Sequence, residues 1–301
     1  MVNRPAIKPD TRQTFPTAPN FAIKLSVAHL GVHGMATLAT STLEPFDDQP
    51  ATAERFAFKM AIAMALTVVL GFSVQLAMGR STFASPLRVH LHAVVFMGWV
   101  AIFLTQTHLA TRGPLTLHRK LGWLAAGWVG LMIVMGFAVT LGMVRGGTVP
   151  FFFMPQQFLI SDPLTVLVFA GITAAAIANR KRTDWHARLH ICGMALLTGP
   201  AFGRLLPMPL LSPYAFEAAG VATLVFPLAG MIRDRRRLGR VHPAWLVGAG
   251  AIVSTILLFD LIAYSPLGDG LYRMATAGTP GAAVPGLEFP APPPGPQVTG
   301  R

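Results

Sequence analysis

The sequence predicts an all-α integral membrane protein, a bundle of seven transmembrane helices with a cytoplasmic amino terminus and an external carboxyl terminus. Three observations carry that prediction. Of 301 residues 53% are hydrophobic and 12% charged, with a mean hydropathy of +0.55, far from the balance of a soluble domain. Apolar runs of about 20 residues, each long enough to cross a roughly 30 Å hydrocarbon core, recur through most of the chain. The 24 lysines and arginines gather beside those runs, where they set topology and do not mark a nucleic-acid surface.

The spans fall at about 57–78, 89–110, 121–143, 157–178, 187–205, 215–232 and 243–263. The fifth carries Arg188, His190 and Pro200 and is short, so its polar content predicts a helix facing protein instead of lipid. Orientation follows from three basic loops, which should lie inside. They hold Arg112, Arg119 and Lys120, then Arg180, Lys181, Arg182 and Arg188, then Arg233, Arg235, Arg236, Arg237 and Arg240. The other loops carry only Arg80, Arg88, Arg145 and Arg204.

Two segments flank the bundle of 57–264. Residues 1–56 form a cytoplasmic, largely irregular stretch without a signal-peptide pattern, in which Phe21 to Leu38 has the makings of an interfacial amphipathic helix. Met35 there, or Met60 further on, is an alternative translation start. Residues 265–301 are rich in Pro, Gly and Ala and are expected to be a disordered external tail.

Composition also excludes chemistry. The single cysteine, Cys192, rules out an intramolecular disulfide, a CxxC metal site and a cysteine-ligated iron–sulfur cluster. The five lysines, Lys8, Lys24, Lys59, Lys120 and Lys181, sit at span ends or outside spans. None stands in the last span to form a Schiff base, so a retinal protein is excluded. Glycines such as Gly122, Gly127 and Gly130 are expected to let helices approach closely.

Ionisable groups at membrane depth are costly unless partnered and mark candidate sites. They fall into two layers. The external one contains His90, His92, Asp162, Arg204, Glu217 and Asp260; an ion-pair network from Arg204 to Asp162 or Asp260 is one reading of it. The cytoplasmic one contains His108, His118, His186, His190 and His242, with Asp184 nearby. Neutral imidazole is cheap to bury and ligates iron, zinc or copper. His186 and His190, four residues apart, project from one side of a helix. With His108 and His118 they are the candidate haem ligands; His186, His190, His108 and Asp184 are the candidate metal ligands. His118 and His242 can equally be interfacial residues that cap neighbouring carbonyls. The second span offers polar groups to two sides and is expected at the centre of the bundle.

The stretch Arg88-Val-His90-Leu-His92, then Phe96-Met-Gly98-Trp99, Gln106, Gly113 and Leu117-His118-Arg119-Lys120-Leu121-Gly122-Trp123 resembles a broad group of uncharacterised bacterial multi-pass membrane proteins. Trp185-His186-Ala187-Arg188-Leu189 and Gly239-Arg240-Val241-His242-Pro243 extend the likeness over 88–243. The resemblance draws attention to His92, His118, His186 and His242 without assigning them roles. It implies a multi-pass protein of the bacterial cytoplasmic (inner) membrane. Membrane cytochromes of the b type are partly similar, with paired histidines on one helix. Here His90 and His92 precede His108 by 18 and 16 residues, and the latter spacing turns His92 away, so at most one cytoplasmic-side haem is implied. Seven-span zinc hydrolases related to progestin receptors and ceramidases share a His-x-x-x-His pair, but on their last helix.

The expectation is therefore a b-type haem or metal site in the cytoplasmic histidine layer, serving electron transfer or haem handling with a redox partner. Alternatives are a cofactor-free accessory or assembly subunit among other membrane subunits, and a zinc-dependent membrane hydrolase with Asp184 activating water.

Overall fold

A computed structural model describes residues 50–292. The predicted amphipathic stretch at 21–38 lies outside the described residues. Among the latter every regular element is helical: α1 Pro50–Ala77, α2 Leu87–Arg112, α3 Leu115–Gly146, α4 Pro155–Ala178, α5 Thr183–Leu196, α6 Gly199–Leu205, α7 Ala215–Thr223, α8 Val225–Leu238, α9 Pro243–Ala263 and α10 Pro266–Thr276, with short 3-10 turns at Met208–Leu211 and Pro280–Ala283. Six segments are long and apolar enough to cross a membrane: Thr52–Ala77, α2, α3, α4, the combined Ala215–Leu238 and α9.

Proline and glycine set the boundaries. Pro50, Pro155, Pro243 and Pro266 occupy first helical positions, where the absent N–H would be unpaired in any case. Gly147 ends α3 with φ 65°, its N–H returning to the Met143 and Val144 carbonyls, a left-handed cap that glycine takes without strain.

The predicted fifth span is the main correction. It is two helices, α5 and α6, which separate at Leu197 and Thr198. Pro200 has no N–H for the Leu196 carbonyl and its ring crowds that carbonyl, so the α-helical ladder stops there. Thr198 instead bonds the Ala195 carbonyl through both its N–H, at 2.9 Å, and its hydroxyl, at 2.6 Å. The expectation that this segment faces protein matches what is seen: Arg188, Leu189 and Ile191 to Leu196 are all buried. The sixth segment is interrupted in the same way. Pro227 lies four residues after Thr223 and has no N–H to donate to its carbonyl, and α7 gives way to α8 at Leu224.

The centre of the bundle is α5 with α4 and α9. α2, expected there, packs chiefly on α1 and α3, and it buries little besides the stripe Val95, Trp99 and Phe103 and, near its end, Leu109. Close helix approach is also found away from the glycines expected to give it. Gly127 and Gly130 face open space. At Gly230 a methyl would collide with the Trp245 ring, and at Gly248 with the Cys192 side chain, so these two glycines bring α8 and α5 against α9.

The described part of the tail departs from expectation as well; residues 293–301 lie outside the described residues. Ser265 caps α10, accepting from the Gly268 N–H. Tyr272, 5% exposed, donates its hydroxyl to the Val284 carbonyl at 2.9 Å, and the Gln156 N–H bonds the Gly286 carbonyl at 2.8 Å. The Gly and Pro content between 278 and 286 allows this close return over the start of α4, and a buried tyrosine supplies the apolar surface that composition alone had hidden.

Candidate functional site: a histidine cluster and two polar networks

Three of the candidate histidines come together where α5 begins. The His118 and His186 ring centres are 6.4 Å apart, and those of His186 and His190 are 4.6 Å apart, both pairs edge to face. The second contact follows from four-residue spacing on one helix. The first joins the start of α3 to α5.

Hydrogen bonding fixes what these rings present. His186 Nδ1 lies 2.8 Å from the Ala176 carbonyl, one of the last four of α4 and free of a helical partner. His118 Nδ1 lies 3.2 Å from the Gln106 carbonyl. A carbonyl only accepts, so each Nδ1 carries the proton and each neutral ring leaves its Nε2 lone pair uncommitted to that contact. Metal-binding histidines are commonly oriented by this kind of Nδ1–H bond to a backbone carbonyl.

Other candidates lie elsewhere. His108 is exposed, its ring 5.6 Å from that of Phe58. It stands nine residues from the buried Trp99, about 180° around α2, so it faces away from the core. Asp184, expected beside the metal ligands, is instead bonded to His242, Oδ2 to Nε2 at 2.8 Å. His242 is the N-cap of α9: its Nδ1 accepts from the Ala244 N–H at 3.1 Å, so Nε2 carries the proton given to Asp184. It caps an N–H of α9 and ties α5 to α9, and at 1% exposed it is neither interfacial nor bonded to a carbonyl as the alternative reading expected. Among the described residues, no group of three or more His, Cys, Asp or Glu side chains is arranged to hold a metal ion as it stands.

This tie has a pH dependence. Burial is the largest influence on His242 and holds its ring below the ordinary histidine value, ahead of the opposing Asp184 bond. Burial lifts Asp184, but the bonds from His242 and from the Trp185 N–H outweigh it and hold the carboxyl low. Below the ordinary histidine value the unfolded chain therefore binds a proton at His242 that the folded chain resists, so stability falls as pH drops from about 7 through 6. Thermal unfolding in detergent across that range should show the slope, and His242→Asn should lessen it; an equal slope in the variant would contradict the assignment.

A second network sits one turn along α5, and sequence reasoning missed its centre. Asp234 on α8 is fully buried and accepts from four donors: Arg188 Nε at 3.0 Å, Arg188 Nη2 at 3.1 Å, Arg233 Nη1 at 3.2 Å and Trp245 Nε1 at 2.8 Å. The signal was there: Asp234 is the one acid inside the run from Arg233 to Arg237.

The external residues divide. His90 bonds the Phe83 carbonyl at 3.1 Å. Glu217 and Asp260 share the amide of Gln157, which donates to them at 3.1 and 2.7 Å; Gln157, 1% exposed, was not singled out from the sequence. Arg204 forms no ion pair with Asp162 or Asp260. Its Nη1 bonds the Pro200 carbonyl at 2.8 Å and its guanidinium covers the Phe72 ring at 4.1 Å. His92 stacks on Phe96 with ring centres 4.2 Å apart.

No protein-family model matches the chain, no curated protein matches it, and no solved structure matches it.

Proposed function

We propose that this chain is a multi-pass protein of the bacterial inner membrane that binds a transition metal, as b-type haem iron or as a bare ion, on His118, His186 and His190, and serves electron transfer or haem handling with a redox partner. The observation that carries the reading is the pair of Nδ1–H bonds to the Ala176 and Gln106 carbonyls, which leaves two neighbouring imidazoles with Nε2 lone pairs. Two imidazoles on one ion, with metal–nitrogen bonds of about 2.0–2.1 Å, place their ring centres roughly 5–6 Å apart; the three rings stand at 4.6 and 6.4 Å. His108 has no part in this centre. A bound iron would supply one-electron chemistry there, and the chain's contribution is to hold the rings in one tautomer within a shielded corner of the bundle.

In the same reading α5 and α6 together make a seventh crossing. Asp184 meets the start of α9, whereas Arg204 covers Phe72, five residues before the end of α1. With the basic loops inside, the amino terminus is cytoplasmic and the carboxyl terminus external.

One observation favours a second reading, a cofactor-free accessory subunit of a larger membrane complex. The Asp234 and Asp184–His242 networks tie α5, α8 and α9 together without any ligand. A zinc hydrolase is less favoured, since His242 engages the carboxylate that would activate water.

Oxidised and dithionite-reduced visible spectra of the detergent-purified protein, with elemental analysis of the same sample, separate these. A Soret band that shifts on reduction, or stoichiometric copper, iron or zinc, is expected. Metal-free protein isolated in stoichiometric complex with a larger enzyme would replace the metal reading with the accessory one.

A further inference from the structure

Gln106 meets the histidine cluster twice. Carbonyls of an α-helix point to its carboxyl end and side chains lean to its amino end, so one residue of α2 reaches two depths. Its carbonyl lies 3.2 Å from His118 Nδ1. Its amide lies over Gly122, where a methyl added to the glycine would stand 3.3 Å from Nε2. The amide Oε1 is buried and has no hydrogen-bond partner among the described residues, a costly state for so strong an acceptor.

The depth of that oxygen follows from the helices around it. Gly122 comes four residues after His118 on α3, as His190 comes four after His186 on α5. Both helices run from the His118 and His186 contact into the bundle, so Gly122 and His190 stand one turn, about 6 Å, deeper. Glycine has no side chain to place there, and the Gln106 amide takes the room. The cluster therefore has two levels: His118 and His186 at one, Gln106 and His190 at the next.

Three imidazole nitrogens leave a fourth tetrahedral position open, and a side-chain amide oxygen is a neutral metal ligand. We infer that Gln106 Oε1 is the fourth ligand of a single metal ion held with His118, His186 and His190. The inference rests on the metal reading above and narrows it to a bare ion, since a haem iron takes only two axial ligands from the protein. One residue then does two tasks, its carbonyl orienting His118 and its amide oxygen completing the set. A closed set of four protein ligands keeps no position for an activated water, so the site suits an ion that changes charge or is passed on, not hydrolysis.

Full-length protein in detergent, stripped with a chelator and titrated with Co2+, tests this through the visible ligand-field absorption of the ion. The parent should bind one Co2+ per chain. Gln106→Leu should weaken binding by about tenfold or more and change the spectrum; it keeps the backbone carbonyl that orients His118, so a change reports the amide. Gln106→Glu offers a charged oxygen at the same reach and should bind at least as tightly as the parent, a gain that a packing role does not give. Melting temperatures of the stripped variants report their fold, and if Gln106→Leu does not fold, Gln106→Glu carries the test by its affinity and its shifted spectrum. Parent-like affinity and spectrum in Gln106→Leu, weaker binding in Gln106→Glu than in the parent, or haem as the group bound to these histidines would overturn the Gln106 assignment and leave the histidine centre standing. A parent that binds no Co2+ would overturn both.

Discussion

Asp234→Ala is expected to destabilise the protein by about 3–5 kcal/mol, the usual consequence of removing one partner from a buried ion pair. The carboxylate is the meeting point of three helices, taking Arg188 from α5, Arg233 from its own helix and Trp245 from α9. Its loss takes the carboxylate from a guanidinium that is 6% exposed and from the N–H of an indole whose six-membered ring packs on Gly230. The gross attraction in such a pair is largely offset by the desolvation of both charges. The double change Asp234→Leu with Arg188→Met, which removes both charges together, should therefore cost much less than Asp234→Ala. Thermal or denaturant unfolding in a mild detergent measures both. A single variant as stable as the parent would mean that the network does not couple these helices.

Gln157→Leu is expected to cost about 1–3 kcal/mol, because one buried amide donates to two half-buried carboxyl groups and leaving such acceptors without a donor is expensive. The leucine is similar in volume, so packing changes little; what is lost is the donor between Glu217 on α7 and Asp260 on α9. Glu217→Gln in the Gln157→Leu background should recover part of the loss, since it removes one carboxyl and offers an amide to the other. The same unfolding assay reads the difference, and full stability of Gln157→Leu would contradict this bridging role.

The membrane-spanning character was legible in the sequence because apolar length is a property of contiguous residues. Interruptions were legible only in part. Pro200 marked the fifth segment as irregular, but Pro227 lies in an equally apolar run, and hydropathy does not register a missing N–H. The site was legible by residue type and not by facing. His118, His186 and His190 come together as members of one layer, whereas His108, in that same layer, sits half a turn from the buried stripe of α2. Asp234 and Gln157 were hidden for a different reason. A lone acid among arginines reads as surface charge, and a glutamine at a span start reads as interfacial, until the chain brings distant partners to them.

The most direct test of the histidine centre is the metal and haem content of purified protein in which each histidine is replaced singly. His118→Ala, His186→Ala and His190→Ala should each lower the bound metal or haem by at least about tenfold, with the purified variants still folded, while His108→Ala should retain the parent's content. Loss in His108→Ala with retention in His186→Ala would contradict the assignment of the centre to α3 and α5.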